Sequence, residues 1–446
     1  MTDLSRLTDA LLSAARRAGA DQADALAMDG TSLSIDIRAG KLEQAERSEG
    51  IEIGLRVLIG GRQACVSASD VSDATIAALA ERAVAMAREA PVDPYAGLAE
   101  PEQIARDWDL AALELADPAA EPGAAALEAA ARAVEAAAMD RAGITQVEAS
   151  ASYGRRAMHL AASNGFSGGY GRTSHSLSAV AFTGTGTAME RDWAAEGRIF
   201  ASDMPGAEGI GRLASERALQ RAGAVRPKTG TYPVLFDERV ASSLIGHLLS
   251  ATNGAAIARG ASWLRDALGQ QVLPAQLSVV EDPHRVRISA SRPFDGEGLP
   301  TQRRVIVENG VLTGWTLDLA TGRKLGMPST ANAARGASSP PSPSTSNIDL
   351  TPGTVSRDEL VAQMGTGLLV TSMIGSTISA TTGDYSRGAA GFWVENGVIQ
   401  YPVNECTIAG NLRDMLLRII PANDARAHLS TRVPSLLIDG MTLAGA

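Results

Sequence analysis

A break in pattern at Pro227-Lys228-Thr229-Gly230 divides this chain of 446 residues. Before it, apolar residues at helical spacing alternate with stretches of strand-like alternation. After it, one helix is followed by many short β-like runs separated by Gly, Pro, Asn and Ser. Helices interleaved with antiparallel strands in one part, and a succession of strands in the other, predict an α+β protein. The first part reads as an α/β half of antiparallel strands with helices. The second reads as a β-rich half that closes into a barrel or curves as a sheet.

In the first half, Leu4, Leu7, Leu11 and Ala15 recur at helical spacing, and Gly19 supplies a stop. Residues 32–38 and 52–59 alternate as strands, and Gly60-Gly61 makes a hairpin turn. Ser72 caps a second helix that Pro91 ends. Residues 1–90 are therefore an N-terminal α/β domain, and the proline- and acid-rich residues 91–122 a linker. An Ala-rich helix opens a central α/β domain over 123–226. Its strand-like segments (146–152, 159–162, 173–183 and 187–199) feed a helix over about 208–222.

Residues 227–446 form the β-rich domain. They open with a helix over about 238–251. Strand-like runs follow at 285–289, 304–307, 311–317, 367–373, 391–394, 398–401 and 435–438. Glu308-Asn309-Gly310 and Glu395-Asn396-Gly397 are hairpin turns, each flanked by apolar residues. Between them, residues 331–346 are rich in Ala, Ser, Pro and Gly and read as a long exposed loop.

Charge and composition narrow the function. Forty basic against fifty acidic residues leave a net charge of −10, and only Lys41, Lys228 and Lys324 are lysines. An acidic chain with 4% aromatics makes a poor nucleic-acid binder, because phosphate needs a basic face and bases need stacking platforms. The longest apolar runs fall far short of the ~20 residues that span a bilayer. Two cysteines, Cys65 and Cys406, cannot build a disulfide framework and suit a reducing compartment. A cytoplasmic protein with no membrane partner is the expectation.

The side chains present offer little chemistry of their own. His159, His175, His247, His284 and His428 are scattered, and no His-Glu dipeptide occurs. The paired-histidine helix of a zinc hydrolase is therefore missing. Asp282 with His284 and Asp424 with His428 are the nearest approximations. Lys228-Thr229-Gly230 resembles a β-lactamase element, but no serine stands three residues before any lysine. Cys406 reads as a small buried hydrophobe, and His247 as a core or interface residue on an apolar helix face.

The segment Gly383-Asp-Tyr-Ser-Arg-Gly-Ala-Ala-Gly-Phe-Trp-Val-Glu-Asn-Gly-Val-Ile-Gln-Tyr-Pro-Val-Asn-Glu-Cys-Thr-Ile-Ala-Gly-Asn-Leu412 resembles the C-terminal signature of the TldD/PmbA family, in its PmbA/TldE branch. Phe294-Asp-Gly-Glu-Gly-Leu-Pro-Thr and Ser338-Ser-Pro-Pro-Ser-Pro before Asn347 support it, and the resemblance runs along nearly the whole chain. It implies a metallopeptidase-like C-terminal domain. In the TldD branch, a His-Glu-x-x-x-His helix and a distant cysteine hold zinc. Here the matching helix reads Ser242-Ser243-Leu244-Ile245-Gly246-His247, and no cysteine lies near 423–426. Two ligands and the base are thereby removed.

The resemblance implies a catalytically silent subunit with no metal or cofactor of its own, forming a heterodimer with a TldD-like metallopeptidase subunit that carries zinc. The pair would process unfolded peptides, of the peptide-antibiotic precursor or antitoxin type. Exposed strand edges could take an extended substrate by strand addition. The candidate cavity or partner residues are His247, Asp384, Tyr385, Arg387, Asn404 and Glu405, with no catalytic and no metal residue among them. Residues 383–388 either face that cavity or hold a tight turn. Two other readings stay open: an autonomous metallopeptidase with an atypical site, and a non-enzymatic regulatory binding protein.

Overall fold

The computed structural model describes residues 3–446. Its first unit is α1 (Leu4–Ala18), which starts where the Asp3 carboxylate accepts the Arg6 N–H and ends at Gly19, φ 98°. Three strands follow, β1 (Gln22–Arg38), β2 (Lys41–Ile59) and β3 (Arg62–Ala68), then α2 (Asp73–Glu89) behind its Ser72 cap. A short helix α3 (Leu110–Leu113) precedes α4 (Ala124–Met139). Strands β4 (Ile144–Ala162), β5 (Ser167–Thr183) and β6 (Glu190–Arg198) lead to α5 (Ala207–Gln220). All six strands join one antiparallel sheet in the order β3-β2-β1-β4-β5-β6. The strands are far longer than their alternation indicated: residues 146–152 and 159–162, which read as separate segments, are one strand of 19 residues.

The helices share one face of this sheet. Ala23, Ala25 and Ala27 of β1 pack under α1 and α2, while Leu33, Ile35 and Ile37 of the same strand pack under α4. Residues two apart on a strand point the same way, so both sets lie on one side. Small alanines beneath α1 and α2 let helix and sheet approach closely. The outer end of β2, residues 41–50, is exposed and carries Lys41, Glu43, Glu46, Arg47 and Glu49. Charges along an open edge discourage pairing with another chain.

The C-terminal part begins with β7 (Gly230–Phe236) and α6 (Glu238–Ala251), the helix falling where its spacing predicts. Short strands come next: β8 (Val279–Glu281), β9 (Arg304–Glu308), β10 (Val311–Leu312), the pair β11 (Ala333–Ala334) and β12 (Ser342–Pro343), and β13 (Ile348–Leu350). Three long strands follow, β14 (Gly367–Ile378), β15 (Asp384–Glu395) and β16 (Val398–Asn411), and the chain closes with β17 (Ile420–Pro421), β18 (Thr431–Arg432) and β19 (Leu436–Ala444). Strands β16-β15-β14-β7-β19 form a sheet, and the pairing of β19 with β16 closes it into a five-stranded barrel. The expected α+β class with a barrel-like second half is the architecture observed. At the predicted hairpins, Asn309 and Gly310 (φ 49° and 83°) and Asn396 and Gly397 (φ 51° and 73°) adopt the left-handed conformation that a two-residue turn needs.

Three expectations need correction, the first being the run over 311–317, whose strand ends at Leu312. Residues 285–289 are not a strand: Arg287 has φ 55°, and its N–H donates to the carbonyl of Leu113 rather than to a sheet neighbour. Residues 331–346 are an exposed loop only in part, at 336, 338–340 and 342. Ala331, Asn332, Ala333, Ala337 and Ser346 are buried, because this segment lies against the face of the sheet that the helices leave bare. Gly54 of β2 sits directly beneath it, and a Cβ there would overlap the Ala337 carbonyl.

Buried charge fastens the same junction. The Asp24 carboxylate accepts Arg56 Nε at 2.7 Å and also pairs with Arg335, and all three side chains are at most 4% exposed. Burial alone would raise the Asp24 pKa, but the two guanidinium groups hold it below the usual carboxylate range. Nearby, Asp295 Oδ1 accepts the N–H groups of Glu297 (2.9 Å) and Leu299 (3.0 Å), and its Oδ2 accepts that of Ala333 (3.0 Å). Glu297 accepts the Leu319 N–H at 2.9 Å. Phe294 packs at 5.0 Å against both Trp108 and Phe166. The motif from Phe294 to Thr301 thus ties linker, sheet and C-terminal part together.

Two measurements test this junction. Gly54→Ala should lower stability by about 1–3 kcal/mol, the usual range for overpacking, seen as an earlier urea midpoint and faster proteolysis within residues 331–346. Glu297 is pushed up to about 8, by burial first and by Asp295 second. Its unfolded value is about 4.3, so between those values the native state holds a proton that the unfolded state has released. Stability must then fall as pH rises through that window. Glu297→Gln should flatten the decline, and melting curves at pH 5, 6.5 and 8 with equal slopes for both proteins would contradict it.

Candidate functional site

Helix α6 begins where the Asp237 carboxylate accepts the Arg239 N–H. Its apolar face (Ala241, Leu244, Ile245, Leu248 and Ala251) packs into the barrel core with Val234, Phe236, Val370 and Ile438. The opposite face carries Ser242, Ser243, Gly246 and Ser250. These line a cavity of about 390 Å³ whose other wall includes Asn253, Thr316, Ser344 and Thr431.

The lining is rich in hydroxyls and amides; some of these groups are committed, while the Ser242, Thr345 and Thr431 hydroxyls have no partner among the described residues. Ser243 Oγ donates to the Val240 carbonyl at 2.7 Å, and Ser250 Oγ to the Gly246 carbonyl at 2.9 Å. Asn253 Nδ2 donates to the Pro343 carbonyl at 2.8 Å, and Thr316 Oγ1 accepts Arg304 Nη2 at 2.8 Å. Among the described residues, no titratable side chain lines this cavity. It can hold a polar chain by hydrogen bonding, and it has no group to transfer a proton at neutral pH.

His247 stands on the flank of α6, half-buried, with its ring 6.0 Å from that of Tyr385. Its Nε2 is buried without a partner among the described residues. Burial lowers its pKa, and the nearby Arg387 guanidinium lowers it further, so the ring is neutral at pH 7. Tyr385 is buried, its hydroxyl 3.3 Å from Met373 Sδ, and burial pushes its pKa up to about 12. Arg387 Nε donates to the Gly375 carbonyl at 2.8 Å. Asp384 is exposed at the start of β15 and accepts Thr382 Oγ1 (2.6 Å) and Asn411 Nδ2 (3.0 Å), which lower its pKa. His247, Tyr385 and Arg387 are therefore brought together, with Asp384 at the turn beside them.

Asn404 and Glu405 lie elsewhere, where the barrel meets the sheet. Asn404 Nδ2 donates to Glu190 of β6, and Glu405 pairs with Arg226 at 2.7 Å. Cys406 is buried, donates to the Ala389 carbonyl at 3.2 Å, and is pushed up to about 11 by burial, so it is a thiol at neutral pH.

The remaining histidines are separate too. Asp282 accepts the backbone N–H of His284 in a local turn, and His284 Nε2 meets Thr301. Asp424 caps Ser435 at 2.7 Å, while His428 faces Glu196 at 3.1 Å. Among the described residues, no three His, Cys, Asp or Glu side chains converge as metal ligands. At residues 423–426, Arg426 is engaged by Glu238 at 2.9 Å. Sequence reading missed Asn253, Thr316 and Thr431 as cavity residues. They come from three separate segments and carry no motif that marks them.

Family models match the chain in three successive stretches. Residues 23–87 match PmbA/TldA metallopeptidase domain 1, residues 109–222 the central domain, and residues 229–445 the C-terminal domain. The chain is 38% identical over 429 residues to Metalloprotease PmbA of Escherichia coli O157:H7, covering 95% of this chain and 92% of that one. It is 36% identical over 415 residues to a Metalloprotease PmbA homolog of Haemophilus influenzae, covering 93% and 90%. A Bacteroides thetaiotaomicron protein, crystallised as a candidate modulator of DNA gyrase, superimposes along all of both chains with a TM-score of 0.92 at 27% identity. TldE from Thermococcus kodakarensis shares the fold with a TM-score of 0.86 at 17% identity. With all three regions matched in order and near-complete relatives above one-third identity, the chain belongs to the PmbA/TldA metallopeptidase family.

Proposed function

We propose that this chain is the metal-free subunit of a two-chain cytoplasmic peptidase, completing a cavity for unfolded peptide while a TldD-like partner holds the zinc. The observation that carries this reading is the polar face of α6. Ser242 and Ser243 occupy the positions that a ligand and a general base take in a His-Glu-x-x-x-His helix, and His247 alone remains. Zinc needs three or four convergent ligands, and a single imidazole beside the Arg387 guanidinium does not fit it. No catalytic step is assigned to this chain.

What the cavity along α6 retains is hydrogen-bonding capacity. The Ser242, Thr345 and Thr431 hydroxyls on its wall can bond the main chain of an extended peptide with little regard to sequence. Such binding suits a substrate class of unfolded segments, including antibiotic-precursor leaders and antitoxins.

The test is to purify the chain alone and with a TldD-like chain of the same genome, then to measure zinc content and cleavage of an unstructured peptide. The two chains should co-purify, zinc should follow the partner at one per heterodimer, and cleavage should require both. Stoichiometric zinc and chelator-sensitive cleavage by this chain alone, lost in His247→Ala, would overturn the proposal.

A further inference from the structure

A second concave surface lies on the sheet face that the helices leave bare, well apart in sequence from α6. Its outer part, about 560 Å³, runs over Gly30, Ser32, Gly50, Gly154 and Ser174, which put no bulky side chain on the floor. Its inner part, about 380 Å³, shares Met28, Arg156, Arg172 and Ser289 with the outer one, so the two form one groove.

The groove is basic at its inner end, while Glu52 is the carboxylate lining its outer part. Arg156, Arg172, Arg292 and Arg335 line the inner part against a single carboxylate, that of Asp295. Asp295 is already engaged by three backbone N–H groups. Among the described residues, no carboxylate forms an ion pair with Arg156, Arg172 or Arg292. Arg172 and Arg292 instead donate to backbone carbonyls, Arg172 to Ser289 and Arg292 to Ala333 and Ser344. Arg335 gives one nitrogen to Asp24, but among the described residues its Nε and Nη2 have no partner although the side chain is only 2% exposed. Those two nitrogens form the fork of a guanidinium that matches a carboxylate in bidentate fashion. Buried donors without acceptors are costly, and an anionic ligand would offset that cost.

We propose that this groove binds an acidic peptide segment, with a carboxylate seated among Arg156, Arg172 and Arg335 and an adjoining apolar side chain against Leu26 and Phe294. The choice of peptide as ligand rests on the peptide-handling function proposed above. The surroundings favour it over a nucleic acid: the net charge of −10 repels a long polyanion, and the basic patch is narrow and backed by an apolar wall.

The full-length chain without a partner is titrated into fluorescent ten-residue peptides followed by anisotropy. One carries Asp and Glu beside Leu, with its C-terminus amidated; a second replaces the acids by Asn and Gln. A third is the second with a free C-terminal carboxylate, and a single-stranded oligonucleotide serves as competitor. The acidic peptide should bind at least tenfold more tightly than its amide counterpart and weaken as salt rises. Recovery of binding by the third peptide would identify the chain terminus as the source of the carboxylate. Arg156→Glu, at an exposed position, should melt as the parent does yet lose at least tenfold in affinity.

Equal affinity for acid and amide peptides, an unchanged Arg156→Glu, or tighter binding and displacement by the oligonucleotide would each overturn the proposal. Such a failure with partner-dependent cleavage intact leaves the subunit function standing. Acidic-peptide binding in a chain that never co-purifies with a TldD-like protein removes that function alone.

Discussion

The cluster of Asp24, Arg56 and Arg335 holds the two halves of this molecule in register. Asp24 and Arg56 belong to adjacent strands of the N-terminal sheet, whereas Arg335 arrives from the C-terminal part more than 300 residues later. Two guanidinium groups and one carboxylate removed from water are tolerable only while their geometry is kept, because loss of the central carboxylate strands two buried cations. Around this point the chain makes close approaches that leave no slack, as where the Ala337 carbonyl rests on Gly54. The Asp295 turn then carries the constraint into the linker and the barrel.

This fastening explains why the sheet has two unlike faces. Four helices cover one with small apolar side chains, and the other receives the linker, the Phe294 turn and residues 331–346. Where those segments stop, the sheet remains open above glycine and serine, and arginines from both halves border the opening. The polar face of α6 lies in the barrel half and is lined by hydroxyls in place of titratable groups. Arginines thus border the groove on the sheet, whereas the cavity along α6 is lined by uncharged groups, a contrast that composition averaged over the whole chain conceals.

Local physics made much of the fold legible. Helix α6 begins and ends where its apolar spacing places it, and the Asn-Gly pairs turn the chain because those residues tolerate positive φ. Ser72 and Gly19 bound their helices for equally local reasons. The strands were legible only in part. The middle of β1 and β4, with Gly30, Arg155 and Arg156, lacks alternation because one face there borders an open groove and not a core. Residues 331–346 looked like a solvated loop because Ala, Ser, Pro and Gly are common in loops. Ala331, Asn332, Ala333, Ala337 and Ser346 are buried because small residues also fit where backbone packs on backbone, while 338–340 stay exposed.

For the site, the histidine and cysteine positions and the serines on α6 were readable directly, as was the family signature from Gly383 to Leu412. That His247 meets Tyr385 and Arg387 while Asn404 and Glu405 bind the neighbouring unit depended on barrel closure, which turns adjacent strand residues toward different surroundings. By itself, then, the sequence determined the α+β class, the helix limits, the turns and the inventory of reactive side chains, since each follows from neighbours a few residues apart. The tertiary structure alone decided which of those side chains meet, which charges are buried and which sheet face stays open. Those outcomes depend on contacts between segments hundreds of residues apart, and no local pattern encodes them.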